Sequence, residues 1–169
     1  MKLIDIHAHL ESKRFESDLD EVIERAKKAG IKVIVNSGVN RETNRQTLEM
    51  ASFGIYPIDG IMSEIGDAGE EGMLRHVEKL DVDEELKWIE ENKDKCVAIG
   101  EVGLDYKVAP GTEDLQKAVF SKVIALAKKL DKPVVIHSRK AEEDAIDMLE
   151  EAGMKEVVMH SFNGKKSLI

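Results

Sequence analysis

Apolar residues along the chain form short continuous runs that alternate with segments of helical spacing. Six runs are rich in valine and isoleucine, which favours strands buried on both faces of a sheet. The predicted strands are Leu3–His7, Ile31–Asn36, Ile55–Ile58, Cys96–Glu101, Pro133–His137 and Val157–His160. Pro57 makes the third strand the least regular of the six, because proline has no backbone N–H to donate.

The segments between these runs repeat apolar residues at helical intervals. They predict helices over residues 18–29, Arg41–Ser52, Leu80–Asn92, Glu113–Leu130 and Glu142–Ala152. A strand followed by a helix, repeated along the chain, predicts an α/β fold with a parallel sheet, and residues 1–169 are predicted to form a single domain.

The stretch Asp59–Lys79 breaks this alternation. It holds four glycines and many acidic residues without a clear period, so a long loop or broken helix above the strand ends is predicted. Such a loop is either a lid or a solvated insertion. His76 lies within it and is interpreted as a surface residue.

Composition narrows the class of protein. With 42% hydrophobic and 35% charged residues, the chain is typical of a globular protein. No apolar run approaches the roughly 18 residues of a membrane span, so no membrane association is predicted. The lone Cys96 cannot form an internal disulfide, which favours a cytoplasmic location. A formal charge of −9 argues against non-specific binding along nucleic acid. It does not exclude a nucleic-acid substrate, because cations bound in a cleft reverse the local field.

Residue types that bind metals stand at the ends of four predicted strands. They are His7, His9, Glu101, His137 and His160. Histidine and carboxylate are the usual ligands of hydrolytic metal sites, and parallel α/β proteins place their chemistry at the carboxyl ends of strands. Each residue alone is a weak signal, but the combination favours a metal site over isolated polar residues.

The spacing suggests individual roles. His7 and His9 are two residues apart in an extended segment, so both imidazoles point to one side and can hold one cation. Asp5 lies on the same face, one step deeper, and is predicted to orient an imidazole. Glu101 carries two oxygens and can bridge two cations.

Two further residues are candidates for contact with a ligand or substrate. Asp105 follows Glu101 by four residues and is predicted to be a further ligand or a substrate contact. Arg139 follows His137 by two residues, and a guanidinium matches the geometry of a phosphate. The alternative for Arg139 is a surface arginine at the start of a helix.

Four motifs together resemble the TatD-type metal-dependent deoxyribonucleases of the amidohydrolase-like superfamily. They are His7-x-His9 preceded by Asp5, GEVGLDY at 100–106, PVVIHSR at 133–139 and MHSFNG at 159–164. The resemblance covers essentially the whole chain and implies a TIM-like (β/α) barrel that cleaves phosphodiester bonds in DNA. It also implies one or two divalent metal ions, such as Zn, Mn or Mg. By motif match, His7, His9 and Glu101 would hold one metal, and Glu101, His137 and His160 the second, with Glu101 as the bridging catalytic residue.

The chain departs from the family pattern in two places. Many members carry a Gly-x-His-Pro motif after strand three. With strand three at Ile55–Ile58, the corresponding stretch is Asp59–Ser63, which predicts no ligand there. The family barrel also closes with strands seven and eight, and strand eight supplies an aspartate that binds metal and helps to activate water. The chain ends after strand six, so the expected barrel is truncated and that aspartate has no counterpart here.

Three interpretations therefore stay open. The first is a DNA-cleaving hydrolase with two metals, and the second is a superfamily hydrolase that acts on another C–N or ester bond. The third is an inactive fragment, or a protein whose open sheet edges are covered by self-association.

Overall fold

The computed structural model describes residues 2–47, 51–62 and 79–168. They contain one six-stranded sheet in which every neighbouring pair of strands is parallel and the strand order follows the sequence. The strands are β1 (Leu3–Ala8), β2 (Ile31–Ser37), β3 (Ala51–Phe53), β4 (Cys96–Asp105), β5 (Val134–Arg139) and β6 (Val157–Met159). The predicted α/β class and parallel sheet are confirmed.

Helices connect most of these strands. They are α1 (Leu19–Lys28), α2 (Arg41–Gln46), α3 (Val82–Glu91), α4 (Glu113–Leu130) and α5 (Glu142–Glu151), and four short 3-10 turns lie at Lys13–Phe15, Asp59–Ile61, Lys93–Lys95 and Lys166–Leu168. The bounds predicted for α4 match the structure. Most of the irregular stretch predicted over Asp59–Lys79, including His76, lies outside the described residues. None of the described helices is both long and apolar enough to cross a membrane.

The third strand was predicted in the wrong place. The strand is Ala51–Phe53, so the predicted helix over Arg41–Ser52 was too long and the predicted strand over Ile55–Ile58 is a turn. Ile55 and Ile58 are fully buried, which explains the apolar run without a strand. The Gly60 N–H donates to the Tyr56 carbonyl within this turn, and the Tyr56 N–H donates to the carbonyl of Val39, which lies in the segment after β2.

The fourth strand is longer than predicted and continues past Glu101 to Asp105. Gly103 lies opposite His137 on β5 with a φ of 137°, and a Cβ at this position would lie 2.1 Å from the His137 carbonyl oxygen. Only glycine permits this close pairing. Glu101 therefore lies within β4 rather than at its end.

Glu101 still reaches the open end of the sheet because the neighbouring β3 is short. Above the end of β3, the Glu101 N–H donates to the carbonyl of Gly38, the residue that follows β2. A Cβ on Gly54 would lie 2.4 Å from the Glu101 backbone, so glycine is required where the chain leaves β3. A short third strand thus brings the middle of β4 beside the end of β2.

The main apolar core lies around β4, α4 and β5. Its fully buried side chains include Phe53, Ile99, Leu104, Phe120 and Ile136. The edge strand β1 is different, since Ile4 is 60% exposed and Ile6 is 45% exposed. Burial therefore decreases from the middle of the sheet towards β1.

Candidate metal centre

Four imidazoles and one carboxylate meet at the carboxyl ends of the strands. His7 is on β1, His9 follows it, Glu101 is on β4, His137 is on β5 and His160 follows β6. They form two groups that share Glu101, and within each group the donor atoms all lie within 4.8 Å of one another. The first group adds His7 and His9 to Glu101, and the second adds His137 and His160. The structure thus brings together all five residues that the sequence proposed as ligands.

Each oxygen of Glu101 faces its own pair of histidines. Oε2 lies 3.4 Å from His7 Nε2 and 3.3 Å from His9 Nε2. Oε1 lies 3.0 Å from His137 Nδ1 and 2.9 Å from His160 Nε2. The Glu101 side chain is only 5% exposed. A single buried carboxylate therefore lies between two imidazole pairs, as expected of a ligand that bridges two cations.

The electrostatics of the cluster favour positive charge. Burial opposes ionisation of Glu101, but its hydrogen bonds to the four histidines hold its pKa well below the usual range. Hydrogen bonds to Glu101 and then Glu11 raise the pKa of His9 to about 10. Burial lowers the pKa of His137, but hydrogen bonds to Asp105 and Glu101 outweigh it and raise the pKa to about 9. The field that attracts protons to these imidazoles also attracts a divalent cation, so the two compete.

Ser37, at the end of β2, supports the first histidine pair. Its hydroxyl lies 3.1 Å from His7 Nδ1, and its backbone carbonyl accepts a hydrogen bond of 2.9 Å from His9 Nδ1. Both rings are thereby held with Nε2 towards Glu101. Asp5 was predicted to orient an imidazole, but in the described part of the chain it accepts a hydrogen bond from the His7 backbone N–H instead. Asp5 is too deep in the strand, and Ser37 takes the predicted role.

Glu11 was not predicted from the sequence. Its Oε1 lies 3.5 Å from His9 Nδ1, and its Oε2 accepts a hydrogen bond of 2.9 Å from Asn36 Nδ2. The carboxylate therefore lies on the side of His9 opposite Glu101. The signal in the sequence that could have identified Glu11 is an acidic residue two positions after the His-x-His pair. The chain turns back towards β2 directly after β1, which brings Glu11 beside Asn36.

Asp105 supports the second histidine pair from behind. Its Oδ2 lies 3.0 Å from His137 Nε2 and accepts a hydrogen bond of 2.9 Å from the Tyr56 hydroxyl. This contact directs His137 Nδ1 towards Glu101, as carboxylates behind metal-bound histidines do. Asp105 belongs to neither of the two ligand groups found among the described residues, so of its predicted roles the structure favours support of a ligand over direct binding of metal.

The Asp105 carboxylate is fully occupied. Its Oδ1 accepts hydrogen bonds of 3.0 Å from the backbone N–H groups of Lys107 and Val108. Burial raises its pKa, but the hydrogen bond to His137 and then that to Val108 outweigh burial, so the pKa is lower than usual. The backbone N–H of Asp105 donates to Gln116 Oε1 on α4, which fixes the residue in place.

Comparison with known proteins identifies the family. The sequence profile described as TatD related DNase matches residues 4–169. The chain belongs to this family. The uncharacterized metal-dependent hydrolase YabD of Bacillus subtilis is 42% identical over 167 residues, which cover 96% of this chain and 61% of YabD. Deoxyribonuclease TATDN3 of Homo sapiens is 34% identical over 179 residues, which cover 98% of this chain and 62% of TATDN3.

A solved structure of the TatD family confirms the fold. The crystal structure of YjjV, a TatD homologue from Escherichia coli K12, matches with a TM-score of 0.76 and 26% sequence identity. The match covers 98% of this chain and 62% of YjjV. The chain therefore spans about three fifths of the length of these relatives.

The corrected position of β3 also corrects the family motif that follows it. The residues after β3 are Gly54-Ile55-Tyr56-Pro57, which match the Gly-x-His-Pro pattern of the TatD family except that tyrosine replaces histidine. The counterpart was wrongly assigned to Asp59–Ser63, because strand three was predicted too late. Tyr56 reaches the candidate centre, where its hydroxyl lies 3.3 Å from His137 Nε2.

An open cleft of about 1110 Å³ surrounds the candidate centre. Arg139 at the end of β5 is exposed and lines this cleft, as do Lys13 and Arg14 from the turn after β1. The structure thus places Arg139 beside the cluster, where it was predicted to meet a phosphate. Lys13 and Arg14 were not predicted to line the cleft. Lysine and arginine are common on protein surfaces, so their presence in the sequence did not indicate a binding site.

Proposed function

We propose that the protein hydrolyses phosphodiester bonds of DNA with two divalent cations held by the two ligand groups. The arrangement of Glu101 carries the proposal, because each of its oxygens faces a separate pair of imidazoles. Family membership supports phosphodiester cleavage, since the family and the relative from Homo sapiens are both described as deoxyribonucleases. The name of YabD supports dependence on a metal.

The donor atoms fit such cations. Four imidazole nitrogens and one shared carboxylate suit Zn, Mn, Fe or Co, and suit Mg less well. His7, His9 and Glu101 would hold one cation, and Glu101, His137 and His160 would hold the other. When bound, such cations supply positive charge to phosphate oxygens and lower the pKa of water towards neutrality.

The protein's own residues would position these ligands and the substrate. Asp105 holds the Nε2 side of His137, and the Ser37 carbonyl holds the Nδ1 side of His9, which keeps both rings turned towards Glu101. The exposed Arg139 would bind a phosphate through paired N–H groups. Asp105 is not proposed as the acceptor of the proton from water, because four hydrogen bonds already occupy its oxygens.

The test is cleavage of labelled DNA by the metal-free and metal-reconstituted protein. We expect no cleavage without metal, cleavage after addition of Mn or Zn, and loss of cleavage in His137→Ala. Lys32→Gln, an exposed change at the opposite end of β2, serves as the control and should leave cleavage unchanged. A panel of small amides and esters runs in parallel. Turnover of that panel without cleavage of DNA would contradict the proposal and favour another hydrolase of the superfamily.

Two further predictions belong to this proposal. We infer a cytoplasmic location, supported by Cys96, which is a free and buried thiol. Self-association along the edge strand β1 also stays a prediction, supported by the exposed side chains of Ile4 and Ile6. Light scattering of the purified protein measures it, and a monomer at high concentration would contradict it.

A further inference from the structure

We propose that a nucleic-acid strand leaves the metal cleft across Arg139 and enters a second cleft, where Lys107, Lys140 and Lys165 bind its phosphates. This inference rests on the proposed function. It adds a binding site for the part of the strand that lies beyond the scissile bond. The ligand is the phosphodiester backbone, which DNA and RNA share.

The second cleft adjoins the first. It has a volume of about 800 Å³ and lies between the residues after β4, the start of α5 and the segment after β6. Arg139 and Asn163 line both clefts, so the two form one continuous groove. A polymer bound at the metal centre can therefore extend into the second cleft without leaving the protein surface.

Among the described residues, the basic side chains of the second cleft lack acidic partners. Within residues 2–47, 51–62 and 79–168, no ion pair involves Lys107, Arg139, Lys140 or Lys165. Two lysines of α4 behave differently, since Lys122 pairs with Asp83 at 2.7 Å and Lys129 pairs with Glu90 at 2.5 Å. In a chain of net charge −9, these four cations, which have no acidic partner in the described part of the structure, are available to neutralise phosphates.

The acidic residues of the cleft do not cancel this charge. Asp144 is bound by Lys117 at 2.6 Å and by the Tyr106 hydroxyl at 2.7 Å, so its charge is already compensated. Glu142 and Glu143 lie in the first turn of α5, where the positive end of the helix dipole partly offsets them. Four cations facing two available carboxylates leave the cleft positive.

The metal cleft extends the same pattern to its other side. Lys13 and Arg14 are exposed, line the metal cleft and have no ion pair in the described part of the chain. Unpaired cations therefore lie on both sides of the ligand cluster. This arrangement fits a nucleic-acid strand that crosses the ligand cluster. A single small phosphate ester would contact only the cluster and not the cations on either side of it.

The experiment measures binding of a phosphorothioate oligothymidylate, which resists hydrolysis, to the metal-loaded protein at several salt concentrations. The test variant combines Lys140→Asn with Lys165→Gln. Asparagine is chosen because Lys140 has a φ of 60°, which asparagine tolerates. The matched control combines Lys32→Gln with Lys155→Gln, which removes two exposed lysines near the opposite ends of the strands that have no ion pair with any described residue.

We expect the test variant to bind an oligomer of about 10 nucleotides roughly tenfold more weakly than the wild type. The slope of log affinity against log salt should decrease by about 1.4, since each lost phosphate contact on a single strand removes about 0.7. Binding of a dinucleotide should not change, because a dinucleotide does not reach the second cleft. The control variant should match the wild type for both lengths.

The possible results separate this inference from the proposed function. A wild type that binds no nucleic acid would overturn both. A wild type that binds and cleaves DNA, with a test variant equal to the control, would overturn the second cleft alone. If the test variant loses as much affinity for an oligouridylate as for the oligothymidylate, the result would support contacts with phosphates. A loss of affinity limited to one type of nucleic acid would contradict such contacts.

Discussion

The edge strand β1 supplies one half of the candidate site, and the central strands β4 and β5 supply the other half. The two strand regions differ in how deeply their side chains are buried. Ile99 and Ile136, on β4 and β5, are fully buried, whereas Ile4 on β1 is 60% exposed. Among the ligand side chains the difference lies in His9, which is 40% exposed, whereas His7 and His137 are each 15% exposed. One half of the site is therefore held within the core and the other half on a solvated edge.

This difference shows that the two imidazole pairs depend on different forces. Packing of β4, α4 and β5 fixes Glu101 and His137, and a buried carboxylate lies behind His137. The first pair depends more on polar contacts with Ser37, and with Glu11 behind His9. Substitution of apolar residues should consequently lower the stability of the fold most at the centre of the sheet. Substitution of polar residues should change the metal affinity of each half separately.

The largest contrast concerns stability. Ile136→Ala removes fully buried apolar surface and leaves a cavity, so we expect a loss of about 2–5 kcal/mol in the free energy of unfolding. Ile4→Ala removes a mostly exposed side chain and should cost less than about 1 kcal/mol. Urea unfolding of both variants measures the difference. Equal losses would mean that β1 is as tightly packed as β5, and would contradict the comparison.

The second contrast concerns pH. A histidine must lose its proton before it binds a metal, and the pKa values of His9 and His137 are raised to about 10 and about 9. Metal affinity should therefore increase with pH, by about tenfold per pH unit for each proton released. Above pH 9 only the site of His9 should continue to gain affinity. Calorimetric titration at several pH values measures this, and a pH-independent affinity would contradict the raised pKa values.

The same shifts predict the opposite trend for the metal-free protein. Because both pKa values are raised on folding, protonation stabilises the fold fully below the unfolded value of about 6.5. This stabilisation should be lost as the pH rises towards 9 and 10. Thermal unfolding of the metal-free protein across this range should show a decreasing midpoint, and a midpoint that increases would show that other groups dominate.

The third contrast concerns the carboxylates behind the imidazoles. Asp105→Asn should weaken the site of His137 by about 10–100-fold, because the asparagine amide can no longer orient the ring as a carboxylate does. Glu11→Gln is the matched change behind His9 and should act on the other site. Titration with metal, fitted to two sites, separates the effects. If either variant weakened both sites equally, the two halves would not be independent.

The smallest contrast concerns single hydroxyl groups. Tyr56→Phe removes a hydrogen bond to the Asp105 carboxylate and should weaken the site of His137 by about 2–10-fold, because the bond acts on His137 only through Asp105. Ser37→Ala is the counterpart next to His7 and should have an effect of similar size on the other site. Loss of a whole metal equivalent in Tyr56→Phe would instead indicate that Tyr56 is itself a ligand.

The ligand set could be predicted from sequence because its physical rule is simple. Carboxyl ends of parallel strands lie at one end of a sheet, and barrel-like curvature of the sheet brings its two edge strands together, so that the ring centroids of His7 and His160 lie 3.9 Å apart. Strand bounds were less predictable. Ile55 and Ile58 are apolar because a turn is buried, and an apolar run alone does not distinguish a buried turn from a strand. That error displaced the family motif and hid Tyr56.

The supporting residues could not be predicted for a different reason. Ser37, Glu11 and Tyr56 are polar residues of ordinary types, and their roles depend on which strands are neighbours and on how deeply each side chain lies. Asp105 was noticed, but its place behind His137 follows from the continuation of β4 past Glu101. The predicted strand stopped too early, at Glu101, because the charged Glu101 and then Gly103 interrupt the apolar run.

The metal content of Glu101→Gln tests the central claim most directly. Wild-type protein, reconstituted and then dialysed, should contain two cations per chain, one for each ligand group. His9→Ala and His137→Ala should each retain one. Glu101→Gln should retain none, because both groups share this carboxylate. A Glu101→Gln variant that keeps one or two tightly bound cations, measured by elemental analysis, would contradict the bridging role of Glu101.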